Sequence, residues 1–443
     1  NDVPVALEAD PFGGTLFMVT RTAALWAHDI ATGDEWRWLG VLPGAPPVVL
    51  GAQDGSLWAR TGSGWYESAP GGGAPGRARP PADVEARATS GLQQLERASA
   101  GFRSSATSLT VDEWLRRWDI TSAARGAAPD RWFLGTWGGG MYAYDDRMLD
   151  AEQMRYGTVG RGVSAIGVTP GNGGYWFGSD GFDRRRGVAH ASRDLQRWTW
   201  FEAGRQRAPN GGVYAIVETE QGVFVAAADG LFRLSGEQWD RLTDGDALPS
   251  TTVRSLHASA GVIWAGTDRG LARVAVEGDA LSATRIDGTS GARINALAQR
   301  DSLLWLATDR GLLSLNLRTG ALAQPPLDDA RLRGRIVGVA YDAPTLYVLT
   351  ESTLLTNDGA AWTAPPPPAS LAAIGRPTHL AAREGAVWIS GTAGALGFDL
   401  LTGAETVFSV PRDIPEGPVR QAVPVGGGIW FATPAGALFI RFQ

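Results

Sequence analysis

The sequence predicts an all-β chain of about ten four-stranded blades, and three observations carry that expectation. A bulky aromatic residue returns every 40 to 48 positions, at Phe17, Trp58, Trp132, Trp176, Phe224, Trp264, Trp305, Tyr347, Trp388 and Trp430, with one longer step of 74 between Trp58 and Trp132. Each aromatic lies in a short segment of alternating apolar and small residues, the period-two pattern of a half-buried antiparallel strand. Most of these segments run into a Gly-containing turn such as DRG, DG or AG, which starts the next strand. A strand-built repeat of roughly 40 to 50 residues is the signature of a β-propeller blade.

Ten units follow in order, at about residues 3–39, 46–68, 118–156, 163–201, 212–243, 252–287, 293–325, 335–364, 377–409 and 418–443. Four show the pattern most clearly: Val253 to Val276, Ile294 to Leu317, Gly211 to Leu234 and Thr378 to Leu400. Fourth strands are visible as DEWRW at Asp34 to Trp38, RWTWF at Arg197 to Phe201 and QWDRL at Gln238 to Leu242. No linker divides the series, so a single ring over residues 1–443 is expected. Its closure is open to three solutions: a three-stranded last blade, residues 1–8 shifted to complete it, or an edge strand from a neighbouring molecule. The recurring aromatic is expected to fill the seam between adjacent blades, where a large flat side chain buries much apolar area. Small residues beside it, as in AGT and LAT, let the sheets approach.

The run Trp264-Ala265-Gly266-Thr267-Asp268-Arg269-Gly270-Leu271 resembles the two-component regulator propeller repeat almost position for position. Trp305 to Leu312 fits with Ala in place of the first Gly, and Trp132 to Tyr142 is a looser match. Three turns, Asp29 to Gly33, Asn316 to Gly320 and Asp399 to Gly403, are closer to quinoprotein-type propellers. The resemblance covers nearly all of the chain as blade architecture. It implies a propeller and leaves function open, because the fold hosts sensors, enzymes and scaffolds alike.

Residues 69–117 break the beat. The Gly/Pro stretch APGGGAPGRARPP is followed by Val84, Ala88, Leu92, Leu95 and Phe102 near one helical face. Thr110 to Glu113 reads as a capping box opening a second short helix through Trp114 to Trp118. The segment is expected to be a helical insertion packed on the propeller or covering an absent fourth strand of unit two, with a docking arm carrying Trp114 and Trp118 as the functional alternative.

Composition excludes several chemistries. The 443 residues carry a formal charge of −6, which does not suit a nucleic-acid footprint. All 40 basic residues are Arg, as mutational bias in a GC-rich bacterial genome would produce, so no P-loop, Schiff-base or general-base Lys exists. With no Cys, thiol nucleophiles, Cys-zinc sites and disulfides are excluded. No apolar run reaches the length of a membrane span. The start at Asn1 suits a processed, exported chain. Family members are mostly periplasmic or cell-surface, so an extracytoplasmic bacterial location is the expectation.

Catalytic constellations are weak. His28, His190, His257 and His379 fall in four different units, and only the last two lie on first strands, which line the centre of a propeller. The pairs Asp145-Asp146 and Asp328-Asp329 read as solvated turns, and no calcium-loop pattern appears. Neither a cofactor nor a metal is expected. Two basic loops are candidate binding elements: Asp183-Arg184-Arg185-Arg186, in a lengthened turn of unit four, and Arg331-Leu332-Arg333-Gly334-Arg335 before unit eight, with Arg331 and Arg333 foremost. The expectation is a non-catalytic binding or scaffold module for a protein or glycan partner. The alternatives are a self-assembling subunit of a filament or surface layer, joined through its open last blade, and a carbohydrate-active lyase or glycosidase, which needs converging carboxylates or a Tyr/His pair.

Overall fold

The computed structural model describes the chain apart from residues 1–3, 11–13, 31–35, 45–48, 70–73, 88–108, 112–116, 127, 129, 137–139, 146–149, 155, 205, 279, 325–329, 366–367, 369 and 443. Ten antiparallel sheets follow one another along it, eight of four strands, one of five and one of three among the described residues. Their bounds are 4–41, 49–77, 109–154, 163–202, 213–242, 253–285, 294–323, 336–363, 377–409 and 421–441, here sheets one to ten. Repeat count and blade positions are those the aromatic beat predicts.

Local sequence explains the turns. Thr267 Oγ1 donates to the Gly270 carbonyl at 2.8 Å and accepts from the Arg269 amide at 3.1 Å. Thr308, Arg310 and Gly311 repeat the device. Gly270 has a φ of 139°, a region L side chains rarely adopt, and Gly266 admits no side chain because a Cβ there would lie 2.7 Å from Ile294 of the next sheet. The Asn316 side chain accepts from the amides of Arg318 and Thr319, and that of Asp399 from Leu401 and Thr402, so these two turns are closed as Asx-turns.

Backbone contacts divide the chain into two units, Asn1–Gly157 with Ala191–Thr199, and Thr158–His190 with Trp200–Gln443. In the first unit, strand Pro4–Ala9 touches both Arg117–Arg125 and Val49–Gln53, so sheet one neighbours sheets two and three. Thr121 Oγ1 donates to the Pro4 carbonyl at 2.6 Å. Sheet two gains its fourth strand from Gly76–Arg77, inside the Gly/Pro stretch, and the short helix Ala82–Arg87 follows, carrying Val84; Ala88, Leu92, Leu95 and Phe102 lie outside the described residues. Leu109–Val111 is a strand pairing with Arg117–Arg125, which places Trp118 on a strand where the capping-box reading expected a helix. Trp114 lies outside the described residues.

In the second unit the first strands of sheets four to ten touch in chain order, and Val163–Thr169 of sheet four also touches Gln421–Val425 and Gly428–Thr433 of sheet ten. Seven sheets thus come back to their start. The single ring of ten favoured from sequence is corrected accordingly: the seam that closes this unit is made by sheet ten on sheet four. Gln421 makes it specific, accepting from the Ile166 amide at 2.9 Å and donating to the Tyr214 carbonyl at 3.0 Å. Among the described residues the last blade has three strands, and Pro4–Ala9 stays in its own sheet, paired with Thr15–Thr20, so it does not complete that blade.

All ten recurring aromatics are buried, none more than 8% exposed. In the second unit each packs on the sheet that follows. Trp176 shares a buried cluster with Val213, Val223 and Val225, Phe224 with Val253 and Ile263, and Trp264 with Ile294 and Leu304. Trp305 clusters with Ile336 and Leu346, Tyr347 with Leu380 and Val387, and Trp388 with Ile429 and Phe431. Trp430 of sheet ten packs on Tyr175 and Phe177 of sheet four, ring centroids 5.3 and 5.2 Å away. Such a side chain buries roughly 150–250 Å², a gross contribution of about 4–6 kcal/mol at each seam.

Candidate functional site

The first strands of sheets four to nine each begin with a bulge, shown by the register shifts at Val163/Ala165, Val213/Ala215, Val253/Ser255, Ile294/Ala296, Ile336/Gly338 and Pro377/His379. A bulge re-aims the extra residue out of the ladder. Several of these residues tie one sheet to the next: Ser164 Oγ donates to Val213 O at 2.5 Å, Asn295 Nδ2 to Ile336 O at 2.7 Å and Thr378 Oγ1 to Val419 O at 2.6 Å. Two bulge residues, Tyr214 and Arg254, are instead free of this task and form the centre of a polar rim.

Arg254 lies with its guanidinium carbon 4.4 Å from the centre of the Tyr214 ring, a cation–π contact. It also grips Asp268, from the second-to-third-strand turn of its own sheet, with Nε at 2.7 Å and Nη2 at 3.1 Å. This two-pronged geometry is the strong form of an Arg–carboxylate pair. Arg293, from the start of the next sheet, reaches the same Asp268 oxygen at 3.5 Å. One sheet further on, Arg335 pairs with Glu351 at 3.2 Å.

The electrostatics follow from this crowding. Burial works against the Arg254 charge, but the Asp268 hydrogen bond, the Tyr214 hydroxyl and the Asp268 charge raise its pKa above the ordinary value. Burial lowers that of Arg293, and the neighbouring Arg254 and Arg335 charges lower it further against the pull of Asp268. Arg293 therefore carries a charge whose nearest carboxylate is already committed.

The same rim positions continue through the next sheets. The carbonyls of Thr252, Arg293 and Arg376 each accept from the first residue of the adjoining turn, Asp268, Asp309 and Thr392, at 3.0–3.1 Å. Arg376 is thus the register equivalent of Arg293, and its side chain is exposed. Arg420 follows Val419, whose carbonyl is bonded by Thr378, and the buried Nε of Arg420 meets no hydrogen-bond partner among the described residues.

Of the residues singled out from sequence, Arg335 at the end of the second basic loop lies on this rim; the others lie elsewhere in the fold and are not brought together. Asp183 is a staple: its carboxylate accepts from the amides of Arg161 and Gly162, and its carbonyl accepts from Arg186 Nε at 2.9 Å. Arg185 is 1% exposed, its guanidinium 5.3 Å from the Trp200 ring centre, so it belongs to the core and not to a solvated basic surface. Arg184 is exposed beside Phe182, which is 81% exposed. Arg331 and Arg333 flank the buried Leu332 on the short 3-10 turn Ala330–Arg333, and both are exposed. Trp118 lies in the first unit. Apart from Arg335, the rim was missed because its arginines form no run; the available signal was one Arg within a residue of the first strand's start in VRSL, ARIN, GRIV, GRPT and PVRQ.

The histidines are held apart. His28 stacks on Trp36 at 4.7 Å and His190 on Trp176 at 4.6 Å. Burial lowers the pKa of His190, with Glu218 opposing, and lowers that of His257, whose Nε2 lies 3.3 Å from Gln299. His379 is enclosed by protein with a little solvent contact, and burial lowers its pKa to about 4. Among the described residues no group of three His, Asp or Glu side chains is placed to hold a metal. Asp146, Asp328 and Asp329 lie outside them.

No family model and no curated protein matches the chain. Among solved structures it is similar to the extracellular domain of a putative hybrid two-component system from B. thetaiotaomicron, at 12% identity and a TM-score of 0.51, covering 100% of this chain and 70% of that one. A second structure from B. thetaiotaomicron, the extracellular domain of a putative one-component system, matches at 14% identity and a TM-score of 0.44, covering 100% and 65%. Virginiamycin B lyase from Staphylococcus aureus, a catalytically inactive form, matches at 14% identity and 0.48, covering 64% of this chain and 95% of that one. The likeness at a TM-score of 0.51 and 12% identity bears on the fold alone, an all-β propeller architecture. No helix among the described residues is long and apolar enough to cross a membrane.

Proposed function

We propose that this chain is a non-catalytic propeller that works outside the cytoplasm and holds a partner on the rim of its second unit. The observation that carries the reading is the Tyr214–Arg254–Asp268–Arg293 cluster with Arg335 beside it: side chains from four consecutive sheets converge on one edge, and none is matched to a nucleophile or acid–base pair. The extracellular origin of the structure at a TM-score of 0.51 supports the location, and so does the resemblance of Trp264 to Leu271 to the two-component regulator propeller repeat.

The test is a binding screen of the whole chain against glycans and envelope proteins, run beside an Arg254→Ala/Arg293→Ala variant of unchanged thermal stability. Binding lost in the variant, with no turnover of any polysaccharide in the panel, is the expected result. Cleavage of a polysaccharide would replace this reading with the lyase or glycosidase one. A second reading, self-assembly, is favoured by strand Gly436–Arg441, which pairs on one side only among the described residues. Elution of the chain as a monomer across its concentration range would remove it.

A further inference from the structure

We infer that the rim between sheets six and ten is an anion-binding arc that takes the carboxylates of an acidic oligosaccharide. This rests on the reading of the rim as the binding surface and names its ligand class. Five arginines, Arg254, Arg293, Arg335, Arg376 and Arg420, stand at the first-strand starts of five consecutive sheets. The matching turn positions hold only three carboxylates, Asp268, Asp309 and Glu351, and they all lie on sheets six to eight. The equivalent turns of sheets nine and ten carry Thr392 and Pro434, so Arg376 and Arg420 have no acid of their own turn to face. The loop between sheets nine and ten adds Asp413 and Glu416, but these are engaged by Arg412 and Arg161. A chain with a net charge of −6 thus leaves Arg376 and Arg420 on one arc facing no carboxylate of their own turns, and that arc attracts an anion and raises its local concentration.

The arrangement also selects the kind of anion. Arg presents a planar fork matched to carboxylate, and forks repeated on successive sheets suit a ligand that repeats its carboxylate along a chain. Protein partners anchor through buried aromatic and aliphatic side chains in pockets. Between the arginines this rim offers mainly Asn295 and Thr378, whose side chains are spent on carbonyls of the next sheet, and the face of Tyr214 is covered by Arg254. Such a surface has hydrogen-bonding and charge to give and little apolar area, which fits a hydrophilic saccharide better than a folded protein or an acidic peptide with apolar anchors.

Calorimetric titration of the whole chain with oligogalacturonate, with its fully methyl-esterified form and with a poly-glutamate peptide tests the assignment. The acid form should bind, weaken with added salt, and lose about tenfold or more in affinity in Arg376→Ala/Arg420→Ala, whereas the ester should not bind. Asp268→Asn, which removes a competing carboxylate, should bind the acid form at least as tightly as the native chain, a result that a merely structural role would not give. Equal binding of acid and ester, or affinity unmoved by the arginine variant, overturns the assignment and leaves the binding-module reading in place. Tighter binding of poly-glutamate than of the saccharide also overturns it, in favour of an acidic protein. Binding of neutral glycans lost only in Arg254→Ala/Arg293→Ala would keep the rim and reject the anion.

Discussion

The indole of Trp430 stands nearly edge-on to the Phe177 ring, centroids 5.2 Å apart with an interplanar angle of 72°. These residues belong to the last and the first sheet of the second unit, so their contact is the seam that brings seven sheets back to their start. Both are buried, at 4% and 1% exposure. Trp430→Ala should destabilise the protein by about 3–5 kcal/mol, the range for emptying a core aromatic site. The midpoint of chemical denaturation reads this directly; a change below about 0.5 kcal/mol, the scale of surface substitutions, would place Trp430 outside any seam.

Gln421 adds direction to the same seam. Its amide serves Ile166 N and Tyr214 O at once, so Gln421→Leu leaves one backbone donor and one acceptor unsatisfied. A loss of about 1–3 kcal/mol is expected for a buried group left without its partner. Amide hydrogen exchange at Ile166 should accelerate in the same variant, and unchanged protection there would contradict the assignment.

Blade count and core aromatics were legible because both depend on a local pattern that every repeat restates: an aromatic in a period-two strand, then a Thr-capped turn ending in Gly. Closure was not. Trp430 reads like any other member of its series, and only its packing on Tyr175 and Phe177 reveals that the seventh sheet meets the first of its unit. Strand Gly76–Arg77 was hidden in a Gly/Pro-rich stretch whose composition argues against a strand, and it forms because the edge of Gly64–Ser68 supplies its partners. Trp118 was read as helical from a capping-box pattern, and strand pairing overrode that local preference. At the candidate site the Arg184–Arg186 run drew the eye, yet its central member is core, while the rim arginines other than Arg335 are scattered singly within a residue of the first-strand starts of successive repeats.

Acid should weaken the fold through His379. Its folded pKa lies at about 4, below the ordinary 6.5, so the unfolded chain takes up a proton first as pH falls. Stability is then full above pH 6.5 and declines toward pH 4, by at most ~1.4 kcal/mol per pH unit from this group. His257 and His190 act in the same direction, since burial lowers both. Thermal melts between pH 7 and 4.5 should show a shallower decline for His379→Gln than for the native chain; parallel profiles would mean that His379 titrates alike in both states.

Arg185 and Arg184 should respond oppositely to truncation although they are neighbours. Arg185→Ala removes a buried cation packed on Trp200 and should cost about 2 kcal/mol or more. Arg184→Ala changes an exposed side chain and should stay within about 0.5 kcal/mol. Comparable melting temperatures for the two variants would contradict the placement of Arg185 in the core.

The return of seven sheets is tested most directly across the Arg161–Glu416 pair, whose side chains approach to 2.5 Å while each remains about half exposed. The chain has no Cys, so Arg161→Cys/Glu416→Cys introduces the only two thiols, at the cost of an exposed ion pair of small energetic weight. A short bis-maleimide should link them within one molecule, giving a closed loop of shifted mobility on a denaturing gel. Two separately modified thiols in a folded monomer, with no intramolecular link, would contradict the closed second unit.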